Sequence, residues 1–295
     1  MPQSDGTEDF ANLLVFGETG QLARELQRLA PQAMFLGRDA ADLTNPAACA
    51  DAVLSAAPAM VINAAAYTAV DAAETDEATA QLVNGAAPTA IARACAQVGA
   101  PLVHVSTDYV FDGAGSRAFM PNDPVAPLGA YGRTKSSGEG GIRAAGGVHA
   151  ILRTSWVFSA HGANFVRTML RLSQSRDALN IVADQIGGPT PARDLAHAAL
   201  TIAVALRDDP AKSGSYHFAG APAVSWADFA KAIFEIAQRE VAVKGIPTAE
   251  YPTPALRPLN SRLDCSSTEA TFGVAPPDWR AALADVIKDL GDTDL

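Results

Sequence analysis

The chain has 295 residues, 48% of them hydrophobic, with 22 basic side chains against 32 acidic ones and a formal net charge of −10. That length and apolar content can build one large α/β domain or two smaller ones, while the acidic balance argues against nucleic acid and anionic membrane surfaces, which basic patches hold. Cys49, Cys95 and Cys265 are odd in number, far apart and without metal-ligand spacing, which fits a reducing compartment and argues against disulfides or a structural zinc.

Residues 1–11 read as a polar, flexible tail with neither the basic nor the apolar region of a signal peptide. The longest apolar stretch, 198–206, is too short to span a bilayer, so the expected location is the cytoplasm. The run Leu13-Leu14-Val15-Phe16 breaks at Gly17 and passes into a helical pattern from Gln21 to about Leu29. Strand, tight turn and helix in that order place a helix N-terminus where a pyrophosphate can lie. Gly17 permits the turn, Gly20 lets the backbone come close, and the small Ala23 lets helix and strand pack. A second strand, 33–36, ends in Gly37-Arg38-Asp39. An acid after this strand suits the ribose 2′-hydroxyl of NAD and an arginine the 2′-phosphate of NADP; with both present, the choice stays open.

Asn45-Pro46 starts a helix. Strand 60–63 opens into Ala64-Ala65-Ala66, which leaves no bulk over a cofactor. A helix over 78–97 leads through Gly99-Ala100-Pro101 to the strand 102–107, where His104 reads as a buried, satisfied histidine. Strands alternating with helices of ten or more residues predict an α/β, doubly wound parallel sheet of Rossmann type. Ligands bind beyond the carboxyl ends of such strands, which is where Thr107 and Asp108 fall.

A proline-rich loop, 121–127, precedes Tyr131-Gly132-Arg133-Thr134-Lys135, and strand 150–153 follows. On a helix, four residues separate side chains that rise from one face. A phenol with a pKa of about 10 is a poor acid near neutrality, and a cation beside it is expected to bring that pKa down. Beyond residue 154 the pattern of repeating units fades, so a nucleotide-binding domain over 12–154 and a smaller, discontinuous substrate domain over 155–295 are expected, with the strand and helix at about 180–206 returning to the main sheet. Ser225 begins a capped helix. Trp279, Leu283, Val286 and Leu290 give the last helix one apolar face, so a cofactor role for Trp279 is not expected.

The stretches 17–22, 63–71, 106–113, 131–135, 153–158, 184–190 and Arg257-Pro258, colinear over most of the chain, resemble the extended short-chain dehydrogenase/reductase superfamily, and within it the reductases of 4-keto nucleotide sugars. The resemblance implies NADPH (or NADH) as hydride donor and conversion of dTDP-6-deoxy-L-lyxo-4-hexulose to dTDP-L-rhamnose. It casts Tyr131 as the proton donor, Lys135 as the residue that binds the nicotinamide ribose and tunes Tyr131, and Thr107 as a hydrogen-bond donor to the reacting oxygen. It assigns cofactor contacts to Gly17, Thr19, Gly20, Gln21, Leu22, Arg38, Asp42, Leu43, Ala64, Ala65, Tyr67, Tyr131 and Lys135. Substrate contacts fall to Thr107, Asp108, Tyr109, Trp156, Asn164 and Arg257; among the remaining cations, Arg193 and Arg262 suit either a ligand or the solvated surface. The resemblance implies subunits that often pair, in some members through magnesium, so a monomer or homodimer is expected, although no acidic cluster with ligand spacing stands out here. Two alternatives stay open: an epimerase or dehydratase of the same superfamily, the latter disfavoured because Tyr109 stands where dehydratases carry Glu, and a non-catalytic nucleotide-binding regulatory subunit.

Overall fold

A computed structural model describes residues 10–291; residues 1–9 of the expected tail lie outside them. Six parallel strands form the central sheet, in the order 214–217, β5 (His149–Thr154), β4 (Leu102–Thr107), β3 (Met60–Asn63), β1 (Leu13–Phe16) and β2 (Met34–Leu36). All four side chains of β1 are buried, as a strand covered on both faces requires. Alternation divides them between two cores. Leu13 and Val15 pack with Leu22, Leu26 and the helix Ala192–Asp208, while Leu14 and Phe16 pack with Val53, Ile91 and Cys95 on the opposite face.

The chain leaves β1 toward β2 on one side and returns to β3 on the other, so the carboxyl ends of β1 and β3 open a crevice at the point where the winding reverses. Register aligns Phe16 with Asn63 and Asn63 with His104. β4 runs three residues further, so Thr107, paired with Thr154 on β5, stands above the crevice floor.

Two expectations are corrected here. The strand Ala178–Val182 does not return to the main sheet: it pairs in parallel with Ala242–Ile246, because Gly214–His217 already occupies the edge beside β5. Only the following helix, Ala192–Asp208, comes back to cover the sheet. The helix expected over 78–97 is in fact Glu77–Gln81 and Ala87–Val98 joined by a π-turn at Leu82–Ala86. That inserted turn buries Asn84, a placement that helical periodicity could not reveal. A third core, including Phe158, Leu179, Phe229, Trp279 and Leu283, stabilises the layer built by the later half of the chain.

Candidate active site

A groove of about 830 Å³ runs over the carboxyl ends of β1, β3 and β4. At one end Gly17 holds φ at +114°, while a Cβ there would meet the Ala64–Ala65 backbone at 3.4 Å, an ordinary contact; it is conformation, not space, that calls for glycine. Gly20 begins the nine-residue helix α1 (Gln21–Leu29) without a side-chain cap, and nothing stands within 4 Å of where its Cβ would be. Arg24 and Gln27 donate to the carbonyls of Thr19 and Glu18, so the carbonyls of the turn are held back while the first-turn N–H groups remain available. These features fit a dinucleotide pyrophosphate. Thr19, Leu22, Leu43, Ala64 and Ala65 line the same groove, as do Arg38 and Asp42 beyond β2.

At the other end, Thr107, Asp108, Tyr109, Tyr131 and Lys135 meet. Thr107 Oγ1 accepts from the Tyr109 N–H at 3.2 Å and lies 3.0 Å from Asp108 Oδ1; its hydroxyl also faces the Tyr131 phenol and works to lower the phenol's pKa. Gly132 makes this approach possible, since its neighbours are the Tyr109 carbonyl and Pro127. Two buried polar atoms in this end of the groove, Asp108 Oδ2 and Thr154 Oγ1, have no partner. Such orphans are costly unless a ligand completes them.

The expected partnership of Lys135 and Tyr131 needs correction. Lys135, 1% exposed, donates from Nζ to the Val105 carbonyl at 2.7 Å and faces His104 Nε2 at 3.2 Å. The strand beneath the helix therefore claims the ammonium, and the phenol receives no cation; burial pushes its pKa well up, with the Thr107 hydrogen bond opposing. Burial also brings Lys135 down to about 8, against the pull of Glu139. His104 is fully buried with both ring nitrogens engaged, to Lys135 and Asn63, and burial holds its pKa well below the usual range.

Beneath these groups lies a network that was not singled out from the sequence. Glu139, one turn beyond Lys135 on the helix Ala130–Ala145, accepts from Ser106 Oγ at 2.7 Å and from Arg153 Nε and Nη2 at 2.8 and 2.7 Å. It thereby fastens the Tyr131 helix to the residues preceding Thr107 and Thr154. Asn84 adds a second tie, donating to Thr134 Oγ1 and pairing with both backbone groups of Tyr67. The i+4 spacing from Lys135 to Glu139 was a signal for the first; nothing local marked the second.

Several predicted ligands stand differently from expectation. Tyr67 does not line the groove, although its neighbours Ala66 and Thr68 do; its ring packs with Ala73, Ala80 and Ala130 instead. Arg257 lies outside the groove lining, bonded to Asp71 Oδ2 at 2.7 Å with its guanidinium 6.0 Å from the Tyr109 ring. Arg193 and Arg262 do not line it either. Gln21 and Asn164 line it but are bonded to each other: Asn164 Nδ2 and Ser159 Oγ both donate to Gln21 Oε1. The two therefore clasp the glycine turn to the segment 157–164. Trp156 lines the groove with φ at 51° and stacks on Trp226 at 3.6 Å, a strained backbone of the kind that functional sites hold. Among the described residues, no group of three or more His, Cys, Asp or Glu side chains could hold a metal ion, and no helix is long and apolar enough to cross a membrane.

The parallel sheet, the glycine turn and the Thr107, Tyr131 and Lys135 cluster define the class: an NAD(P)H-dependent oxidoreductase of the short-chain dehydrogenase/reductase type. The chain belongs to the family described as the RmlD substrate binding domain, which matches residues 11–291. A Sinorhizobium fredii relative named dTDP-4-dehydrorhamnose reductase is 44% identical, over 90% of this chain and 93% of the relative. Among solved structures, a dTDP-4-dehydrorhamnose reductase from Clostridium acetobutylicum matches with a TM-score of 0.86 at 36% identity, covering 94% of this chain and 99% of that one. One from Bacillus anthracis, in complex with NADP, also reaches 0.86, at 33% identity over 94% and 98%.

Proposed function

We propose that the protein catalyses the reaction for which these relatives are named, NAD(P)H-dependent reduction of the 4-keto group of dTDP-6-deoxy-L-lyxo-4-hexulose to give dTDP-L-rhamnose. One observation carries the reading: the Thr107 hydroxyl faces the buried Tyr131 phenol at the carboxyl end of β4, in the same groove as an uncapped glycine turn. A ketone oxygen placed against both hydroxyls receives two hydrogen bonds where negative charge develops. When bound, the dihydronicotinamide supplies the hydride; Gly17, Gly20 and Arg38 would hold its phosphates. Tyr131 gives its proton to the forming alkoxide, and its raised pKa keeps that proton on the phenol until then. With Val105 and His104 occupying two of its directions, Lys135 has its third hydrogen free for the ribose. Trp156 and Trp226, stacked along the groove wall, flank the sugar and exclude water.

The groove and all three acting side chains come from one chain, so we propose that it turns over as a monomer or within a homodimer. Its three buried, unpaired cysteines fit the cytoplasm. The test is NADPH or NADH oxidation on addition of the 4-keto dTDP sugar generated in situ. Stoichiometric oxidation with formation of dTDP-rhamnose supports the reading. Isomerisation with retained cofactor and no net oxidation would make the protein an epimerase, and cofactor binding without turnover of any keto sugar would make it a binding subunit.

A further inference from the structure

Thr107 has one hydroxyl hydrogen and two lone pairs, and four partners compete for them. The Tyr109 N–H takes one lone pair at 3.2 Å. The second lone pair and the single hydrogen are shared among Asp108 Oδ1 at 3.0 Å, the Tyr131 phenol and the substrate oxygen. If Asp108 is ionised it can only accept, so it captures the Thr107 hydrogen; the free lone pair then accepts from Tyr131, and neither hydroxyl can donate to a ketone. If Asp108 carries a proton it donates to that lone pair instead, and both hydrogens turn to the substrate.

We propose that Asp108 is a positioning residue which holds a proton during turnover and so directs the hydroxyls of Thr107 and Tyr131 at the reacting oxygen. Its surroundings favour the neutral form. The residue is 3% exposed, no cation among the described residues is bonded to it, and Oδ2 has no partner. Burial pushes its pKa up to about 6, against the hydroxyls of Ser261 and Thr107 and the backbone N–H groups of Asp108 and Tyr109, and closing the groove over an anionic cofactor works in the same direction as burial. The titratable groups around it are Tyr109 on its own turn, Tyr131 and Lys135 on the facing helix, His104 on β4, and the Arg257–Asp71 pair beyond Tyr109.

The inference rests on the reductase reading, and its test separates the two. Asp108→Asn places a neutral donor beside Thr107 and removes the titration. In the parent, kcat should fall by about 10²–10³ from its acid plateau, the usual worth of one donor to a developing oxyanion, through an ionisation below that of Lys135. In Asp108→Asn that step should be missing, with Kd for NADPH nearly unchanged. A pH profile in the variant that matches the parent, or a variant that stays more than about 10²-fold slower than the parent at every pH, overturns the proposal. A readout without turnover stands beside it: the infrared difference spectrum between parent and Asp108→Asn, both with NADPH bound, should show a carboxylic-acid carbonyl band in the parent. A carboxylate band alone at acid to neutral pH also overturns it. Absence of activity toward any 4-keto sugar nucleotide would sink the reductase reading while the infrared result still decides the protonation.

Discussion

Glu139→Gln should destabilise the protein strongly. The carboxylate is fully buried and Arg153 is 1% exposed, with paired contacts of 2.7 and 2.8 Å. The amide keeps the shape but turns an N–H₂ group toward a guanidinium that has no route to water, leaving a buried cation without its counter-charge. Such a loss costs about 3–5 kcal/mol, a large share of the roughly 5–15 kcal/mol by which a domain is stable. Arg143, 43% exposed, adds little to that figure. The assay is urea unfolding of the ligand-free protein followed by circular dichroism at several pH values. Burial works to raise the Glu139 pKa, but the Arg153 hydrogen bonds and charge, with Ser106 and Arg143, outweigh it and hold the group below its ordinary 4.5. A depressed carboxylate contributes stability above its unfolded pKa and loses it as pH falls through the folded one. The parent should therefore lose stability in acid more steeply than Glu139→Gln. A loss under about 1 kcal/mol, the worth of an exposed pair, with parallel acid limbs would refute the buried-pair account.

Tyr131→Phe should bind NADPH nearly normally and turn over about 10²–10⁴-fold more slowly; near-parent kcat would remove Tyr131 from the chemistry. Lys135→Met should lose cofactor affinity and turnover, yet its ligand-free fold should gain stability at neutral pH. The folded pKa of Lys135 is lowered from 10.5 to about 8, so its charge costs up to about 3 kcal/mol below that pH, offset by roughly 1 kcal/mol for the hydrogen bond to Val105; the parent should recover this stability between pH 8 and 10.5. A variant less stable than the parent at pH 7 would show that the ammonium is structurally required. Arg38→Ala should weaken NADPH more than NADH in titrations, because only NADPH carries the 2′-phosphate that a guanidinium can clamp. Equal losses would assign Arg38 another role.

Local order was legible in the residues themselves. The break at Gly17, the β-branched runs and the spacing of Tyr131 and Lys135 specify turns, strands and a helix face within a few residues, and a parallel sheet then places Thr107 and Asp108 at a carboxyl end without further information. What those side chains touch was decided only in three dimensions. Tyr131 and Lys135 share a helix face, as their spacing requires, but the carbonyl of Val105 lies closer to the ammonium than any phenoxide does, so burial rather than a cation sets the acidity of the tyrosine. The same holds for Gln21 and Asn164, 143 residues apart, and for Arg257, which answers to Asp71 from 186 residues away. Spacing along a chain fixes which face a side chain leaves from; which partner meets it depends on how distant elements pack. The strand Gly214–His217 took the sheet edge that Ala178–Val182 was expected to fill for that reason: an edge accepts whichever segment the intervening helix delivers, and a short apolar run does not say which sheet it will join.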